Sequence, residues 1–127
     1  MDTEHKKKIL IIEDARDVAK LLGARLKNAG YEIIIAGDGI QGVQCAHKDK
    51  PDLIILDLML PAGDGFSVLD NLSMSVYSQL IPVIVLTGAK NEEYKKRAQE
   101  KGVEVYLEKP YEAEELLKHI KNSLGES

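Results

Sequence analysis

Short apolar runs alternate with amphipathic stretches five times along the chain. Ile9–Ile12, Ile33–Ala36, Leu53–Leu56, Val83–Leu86 and Val103–Leu107 are predicted as strands. Three of them (Ile9–Ile12, Leu53–Leu56 and Val83–Leu86) are apolar without a break, which suits parallel strands covered on both faces. The fifth run alternates Val103, Glu104, Val105 and Tyr106, so one face is expected to be wetter and the strand to lie at a sheet edge.

The stretches between carry helical spacing. Val18, Leu21, Leu22, Leu26 and Ala29 are predicted to share the buried face of the first helix, with Gly30 at the C′ position. Ile40 and Val43 mark a shorter second helix with Asp38 as its N-cap. Phe66, Leu69, Leu72 and Val76 mark the third. The fifth uses Ala113, Leu116, Leu117, Ile120 and Leu124. Its first turn carries Glu112, Glu114 and Glu115, and Lys118, His119 and Lys121 follow, as the helix dipole favours. The fourth, Asn91 to Lys101, offers little inward beyond Tyr94, Ala98 and the stems of Lys and Arg. With so little apolar area to bury, it is expected to be the loosest of the five.

Strands alternating with helices imply right-handed crossovers and an α/β fold, a three-layer α/β/α sandwich. The 127 residues suit one domain. Ligands in such folds bind beyond the carboxyl ends of the strands, which is where the chemistry is sought.

Composition narrows the classes. With 44% apolar and 30% charged residues the chain reads as an ordinary globular domain. A net charge of −4 argues against nucleic acid as a direct partner. No stretch approaches the ~18 apolar residues of a membrane span, so no membrane role is expected. The Lys6–Lys8 cluster, read as a solvated tail, precedes an apolar run that ends at Glu13 and Asp14. That is too soon for the roughly 7–15-residue core of a signal peptide. A single cysteine, Cys45, fits a reducing, cytoplasmic setting, and its place in a helix pattern points to packing. His5, His47 and His119 are scattered and form no metal or acid–base spacing.

The strand ends carry the chemistry. The first ends in Glu13-Asp14, the third in Asp57 and the fourth in Thr87-Gly88, and Lys109-Pro110 follows the fifth. In a parallel sheet these side chains converge on one rim. Three carboxylates together need a counter-charge, which a hard divalent cation supplies, and Lys109 adds a second. A metal, a lysine, a hydroxyl and a free carboxylate are the parts needed to transfer a phosphoryl group onto that carboxylate. Any one of these residues alone reads as a cap or turn residue, Asp14 as a cap of the first helix in particular; the set of five is what carries weight.

ILIIED, LIILDLMLPAGDG, VIVLTGAK and VYLEKPY together resemble the response-regulator receiver family of two-component signalling, the CheY-like receivers, over about Lys8 to Leu124. The resemblance implies a single receiver domain over residues 1–127, with a flavodoxin-like five-stranded parallel sheet in the order 2-1-3-4-5. It implies Asp57 as phosphoacceptor, with Glu13, Asp14, Asp57 and the Met59 backbone carbonyl holding Mg2+, or Mn2+ as an alternative. Lys109 and Thr87 would contact the phosphoryl group, Tyr106 would be the aromatic switch, and Pro110 would set its loop through a cis bond. The implied phosphoryl source is a sensor histidine kinase or a histidine phosphotransfer protein. A downstream effector or output domain would read the surface of the fourth helix, fifth strand and fifth helix. The domain is expected to be a phosphoacceptor rather than an enzyme acting on other substrates, and to be a monomer or a phosphorylation-dependent dimer.

The chain departs from the family pattern in places. Gly63 in Pro61-Ala62-Gly63-Asp64-Gly65 predicts a mobile loop, and Gly88 stands where alanine is commoner. Met59 and Ala89 flank the site, at positions that tune dephosphorylation in this family. Gly102-Val103-Glu104-Val105-Tyr106 lacks the paired aspartates of receivers joined to winged-helix DNA-binding domains. A dehalogenase-type phosphatase is the first rival, but its second Asp is here Met59. A degenerate binding scaffold is the second, and the complete acidic, Thr and Lys set argues against it. No nucleophile elbow surrounds Ser67, and no phosphate loop of the P-loop type occurs.

Overall fold

The computed structural model describes residues 6–60, 65–88 and 90–126. Strands β1 (Lys8–Ile12), β2 (Glu32–Ala36), β3 (Leu53–Leu56), β4 (Val83–Thr87) and β5 (Val105–Glu108) form one parallel sheet in the order β2-β1-β3-β4-β5. The three unbroken apolar runs are its centre, and the alternating fifth lies at its edge. Helices α1 (Arg16–Asn28), α2 (Gly39–Asp49), α3 (Gly65–Ser73), α4 (Glu92–Glu100) and α5 (Ala113–Ser123) complete the sandwich, with a short 3₁₀ turn at Ser78–Leu80.

Side-chain alternation along each strand divides the core into two layers. Ile9, Ile11, Leu53, Ile55, Ile84 and Leu86 pack on α1 and α5 through Leu22, Leu26, Leu116 and Ile120. Leu10, Ile12, Ile54, Leu56 and Val85 face α2, α3 and α4 through Ala46, Phe66, Leu69, Leu72 and Ala98.

Several sequence expectations are corrected. The buried face of α1 is Ala19, Leu22, Gly23 and Leu26, while Val18 and Leu21 are exposed and Ala29 faces water. The helix turns its small residues to the sheet; a Cβ on Gly23 would lie 3.4 Å from Ile33 and Ile35 side chains, so the close approach decides the face. In α2, Asp38 does cap, accepting from the Gln41 N–H at 2.8 Å, but Ile40 is exposed and Gly42 and Ala46 face inward. Helix α3 ends at Ser73, leaving Val76 outside it and exposed. Lys8 belongs to β1 rather than to a tail, its N–H donating to Asp52 Oδ2 at 2.7 Å. Val103 precedes β5: Gly102 takes φ +95° and the Val103 N–H closes α4 on the Ala98 carbonyl at 3.0 Å. Gly30 (φ +103°) ends α1 in the same way, with the Tyr31 N–H on the Leu26 carbonyl.

Candidate functional site

At the carboxyl rim the sheet's hydrogen bonding continues past the strands. The Glu13 N–H donates to the Ala36 carbonyl at 3.1 Å, the Asp57 N–H to Ile12 at 3.1 Å and the Lys109 N–H to Thr87 at 2.8 Å. Three site residues thus sit where the sheet, rather than a loop, fixes their backbone, which is how a preorganised site is built. Gly65 secures the return of the chain below Asp57: its N–H donates to the Leu58 carbonyl at 3.0 Å.

The side chains converge. Ligand-capable oxygens of Glu13, Asp14 and Asp57 all lie within 4.8 Å of one another. Lys109 Nζ stands 2.9 Å from Glu13 Oε1 and 3.4 Å from Asp57 Oδ2. The other Asp57 oxygen, Oδ1, accepts from the Met59 N–H at 2.9 Å, and Glu13 Oε2 accepts from the Ala15 N–H at 3.2 Å. Glu13 and Asp57 are buried, and Asp14 is the exposed member of the three. Asp14 does not cap α1; the N-cap position belongs to Ala15. Asp14 therefore stands as a member of the acidic cluster and not as a helix cap.

Burial pushes the Glu13 carboxyl above its ordinary range, and the Asp57 charge adds to this against the Lys109 hydrogen bond. For Lys109, burial works to lower the ammonium's pKa. The Glu13 hydrogen bond and the Asp57 charge outweigh it, so the lysine is held above its usual value and stays charged. Three hard carboxylates in this reach suit a hard divalent cation better than a soft one.

The structure brings together Glu13, Asp14, Asp57 and Lys109, with the Met59 N–H on Asp57. Thr87 is wholly buried at the end of β4, its carbonyl tied to the Lys109 N–H. Tyr106 is half-buried on β5 and packs on the α2–α4 side of the sheet, beside Tyr94 in the same cluster. Its phenol is raised by burial and by the neighbouring Glu108 and Glu92 charges. The Lys109–Pro110 bond is cis. Gly88 borders open space. Pro61, Ala62, Gly63 and Asp64, Ala89 and His5 lie outside the described residues. Cys45 packs partly against the core, and His47 is exposed, away from any cluster.

Sequence reasoning passed over Arg97, whose guanidinium lies 3.9 Å over the Phe66 ring, while Tyr94 meets that ring edge-on at 5.4 Å and 82°. Nothing in a helix of charged residues marks one arginine for this contact.

Residues 9–121 match the family described as the response regulator receiver domain. The chain belongs to that family. This receiver domain is 40% identical over 114 residues to the DNA-binding dual master transcriptional regulator RpaA of Synechocystis sp., covering 90% of this chain and 47% of that protein. It is 38% identical over 122 residues to the alkaline phosphatase synthesis transcriptional regulatory protein PhoP of Bacillus subtilis, covering 95% and 50%. The receiver domain thus spans about half the length of these curated relatives. Among solved structures, a chemotaxis response regulator of Vibrio cholerae superposes with TM-score 0.86 at 29% identity, covering 94% of this chain and all of that one (100%). The receiver domain of a Pseudomonas aeruginosa sensor histidine kinase, solved with a magnesium ion in its active site cleft, gives TM-score 0.87 at 28% identity over 95% and 99%. The sheet order expected from the resemblance is the one observed. The receiver is a component of two-component signalling. Among the described residues no helix is long and apolar enough to cross a membrane.

Proposed function

We propose that this receiver accepts a phosphoryl group on Asp57 from a phosphohistidine, carried by a sensor histidine kinase or a histidine phosphotransfer protein, in a Mg2+-dependent reaction. The observation that carries this reading is the cluster of Glu13, Asp14 and Asp57 with Lys109 bridging two of them. The magnesium ion in the active site cleft of the Pseudomonas relative supports that metal here. Glu13, Asp14, Asp57 and the Met59 carbonyl would hold the ion. When bound, it neutralises charge on the phosphoryl oxygens.

The chain's own groups do the rest. The Met59 N–H fixes one Asp57 oxygen, which orients the carboxylate toward Lys109. The P–N bond of the donor breaks as the bond from phosphorus to Asp57 oxygen forms, and the imidazole leaves with the electron pair. Lys109 stays cationic because of its two acidic neighbours, and it shifts from them toward the incoming phosphoryl oxygens. Thr87 donates to the bound group, the segment after β4 follows it, and Tyr106 repacks beside Tyr94. Helix α4, with Ala98 as its one buried residue, is the element poised to move.

A partner protein or output domain then reads the α4–β5–α5 surface. The curated relatives bear names of transcriptional regulators and are about twice the matched length; the acidic receiver itself is assigned protein partners rather than DNA. Its chemistry is confined to gain and loss of its own phosphoryl group. Intact mass after incubation with Mg2+ and a phosphoryl donor tests the reading. One adduct is expected on the native chain and none on Asp57→Asn or in metal-free buffer. No adduct from either a small-molecule or a phosphohistidine donor would establish a binding scaffold instead.

A further inference from the structure

A cavity of about 400 Å³ opens beside the acidic cluster, between Asp14 and Met59 on one side and Phe66, Tyr94 and Arg97 on the other. Its size suits a small organic ligand. Its walls are aromatic and aliphatic, with Asp14 and Arg97 as their charged members. The Arg97 guanidinium carbon lies 3.9 Å over the ring of Phe66, which is itself buried and met edge-on by Tyr94. A stacked guanidinium keeps its N–H edge available for hydrogen bonding. Among the described residues the ion pairs use Lys101 and Lys109, and no carboxylate engages Arg97.

We propose that Arg97 is a specificity-determining residue that contacts the leaving group of an acyl phosphate donor in this cavity. The proposal rests on Asp57 as phosphoacceptor. In such a transfer the bond from phosphorus to the acyl oxygen breaks as the bond to Asp57 forms. The departing oxygen keeps the electron pair and leaves as a carboxylate. In-line displacement sends that group away from Asp57, and the cavity that begins at Asp14 and Met59 and ends at the exposed Arg97 is the space assigned to it. A planar carboxylate matches the guanidinium fork with two parallel hydrogen bonds, formed as its charge develops. A phosphoramidate donor releases ammonia and offers Arg97 nothing to bind. Among the described residues no acid competes for that fork, and the contact with Phe66 is what separates Arg97 from the other basic residues of α4.

The test compares acetyl phosphate with phosphoramidate, following adduct formation by intact mass with Mg2+ present. For Arg97→Gln the ratio of the acetyl phosphate rate to the phosphoramidate rate is expected to fall about 10-fold, the scale of one charge-assisted pair. A second readout uses the native chain in metal-free buffer. The Arg97 Nε resonance is expected to move saturably as acetate, the departing carboxylate itself, is added, and to stay in place when acetamide is added instead. An unchanged ratio in a chain that takes phosphate from both donors overturns the Arg97 assignment alone, as does an unmoved resonance. A native chain labelled by neither donor overturns the Asp57 reading and this assignment with it.

Discussion

Lys109 Nζ stands 2.9 Å from Glu13 Oε1, an ion pair that joins the ends of β5 and β1 across the two strands between them. The same ammonium reaches Asp57 at 3.4 Å, so one cation serves two buried carboxylates. Lys109→Met leaves both without it. The variant is expected to lose about 1–3 kcal/mol of unfolding free energy at neutral pH. A cation that binds the folded cluster alone offsets that loss by mass action, so Mg2+ is expected to stabilise Lys109→Met more than the native chain. Urea titrations with and without Mg2+ measure both. Equal stability of the two chains in metal-free buffer contradicts the account.

Gly65 is a point where backbone meets backbone. A Cβ there would lie 2.5 Å from Leu58 Cα and 3.1 Å from the Asp57 carbonyl oxygen, and neither is the free end of a side chain. Gly65→Ala therefore forces α3 off the Asp57–Leu58 segment. The expected cost is about 1–3 kcal/mol, as for other overpacked positions, together with weaker Mg2+ binding because Asp57 moves. Calorimetric titration and denaturant midpoints check the pair of effects, and a variant with native values for both would refute the close-approach argument.

Helix α4 is held by few contacts. Ala98 is its buried residue, Tyr94 and Arg97 both rest on Phe66, and the 2.6 Å Lys101–Asp70 pair at its end is largely exposed and worth little. Helix α1 buries Ala19, Leu22, Gly23 and Leu26. Amides of residues 92–100 are expected to exchange faster than those of 16–28, and Phe66→Leu to speed the first set further while leaving the second unchanged. Protection of α4 equal to that of α1 rules out α4 as the mobile element.

The Tyr31 hydroxyl donates to Glu126 Oε1 at 2.8 Å, fastening the end of the chain to the α1–β2 corner. Burial first, and then the Glu126 hydrogen bond and charge, push the phenol up to about 12. A group whose folded pKa is raised contributes stability that is complete below its unfolded value, near 10, and is lost as pH rises through the folded one. The stability difference between the native chain and Tyr31→Phe is therefore expected to be flat to about pH 10 and to shrink from there toward pH 12. Urea midpoints across that range test it, with a difference that stays constant to pH 12 as the contrary result.

The strands were legible because β1, β3 and β4 are buried on both faces, and an unbroken apolar run leaves little choice of register or place. The rim residues were legible because a parallel sheet sends every strand end to one side. Helix faces were not. The apolar positions of α1 span more than the sheet covers, and Ala19 and Gly23, too small to weigh in a hydrophobic pattern, decide the buried side by letting the helix come close. Val103 looked like strand because it is apolar and buried, yet it serves the Gly102 turn that ends α4. The Phe66–Arg97 stack joins a core residue to a charged helix far along the chain, and no local spacing announces such a pair.

The central claim is that Asp57 itself receives the phosphoryl group. Borohydride reduces an aspartyl phosphate to homoserine, so reduction of the phosphorylated chain followed by peptide fragmentation reads the acceptor directly. Homoserine is expected at residue 57 and aspartate at residue 14, dependent on both Mg2+ and donor. Homoserine at another position, or phosphate found on a histidine or serine with residue 57 unaltered, would contradict it.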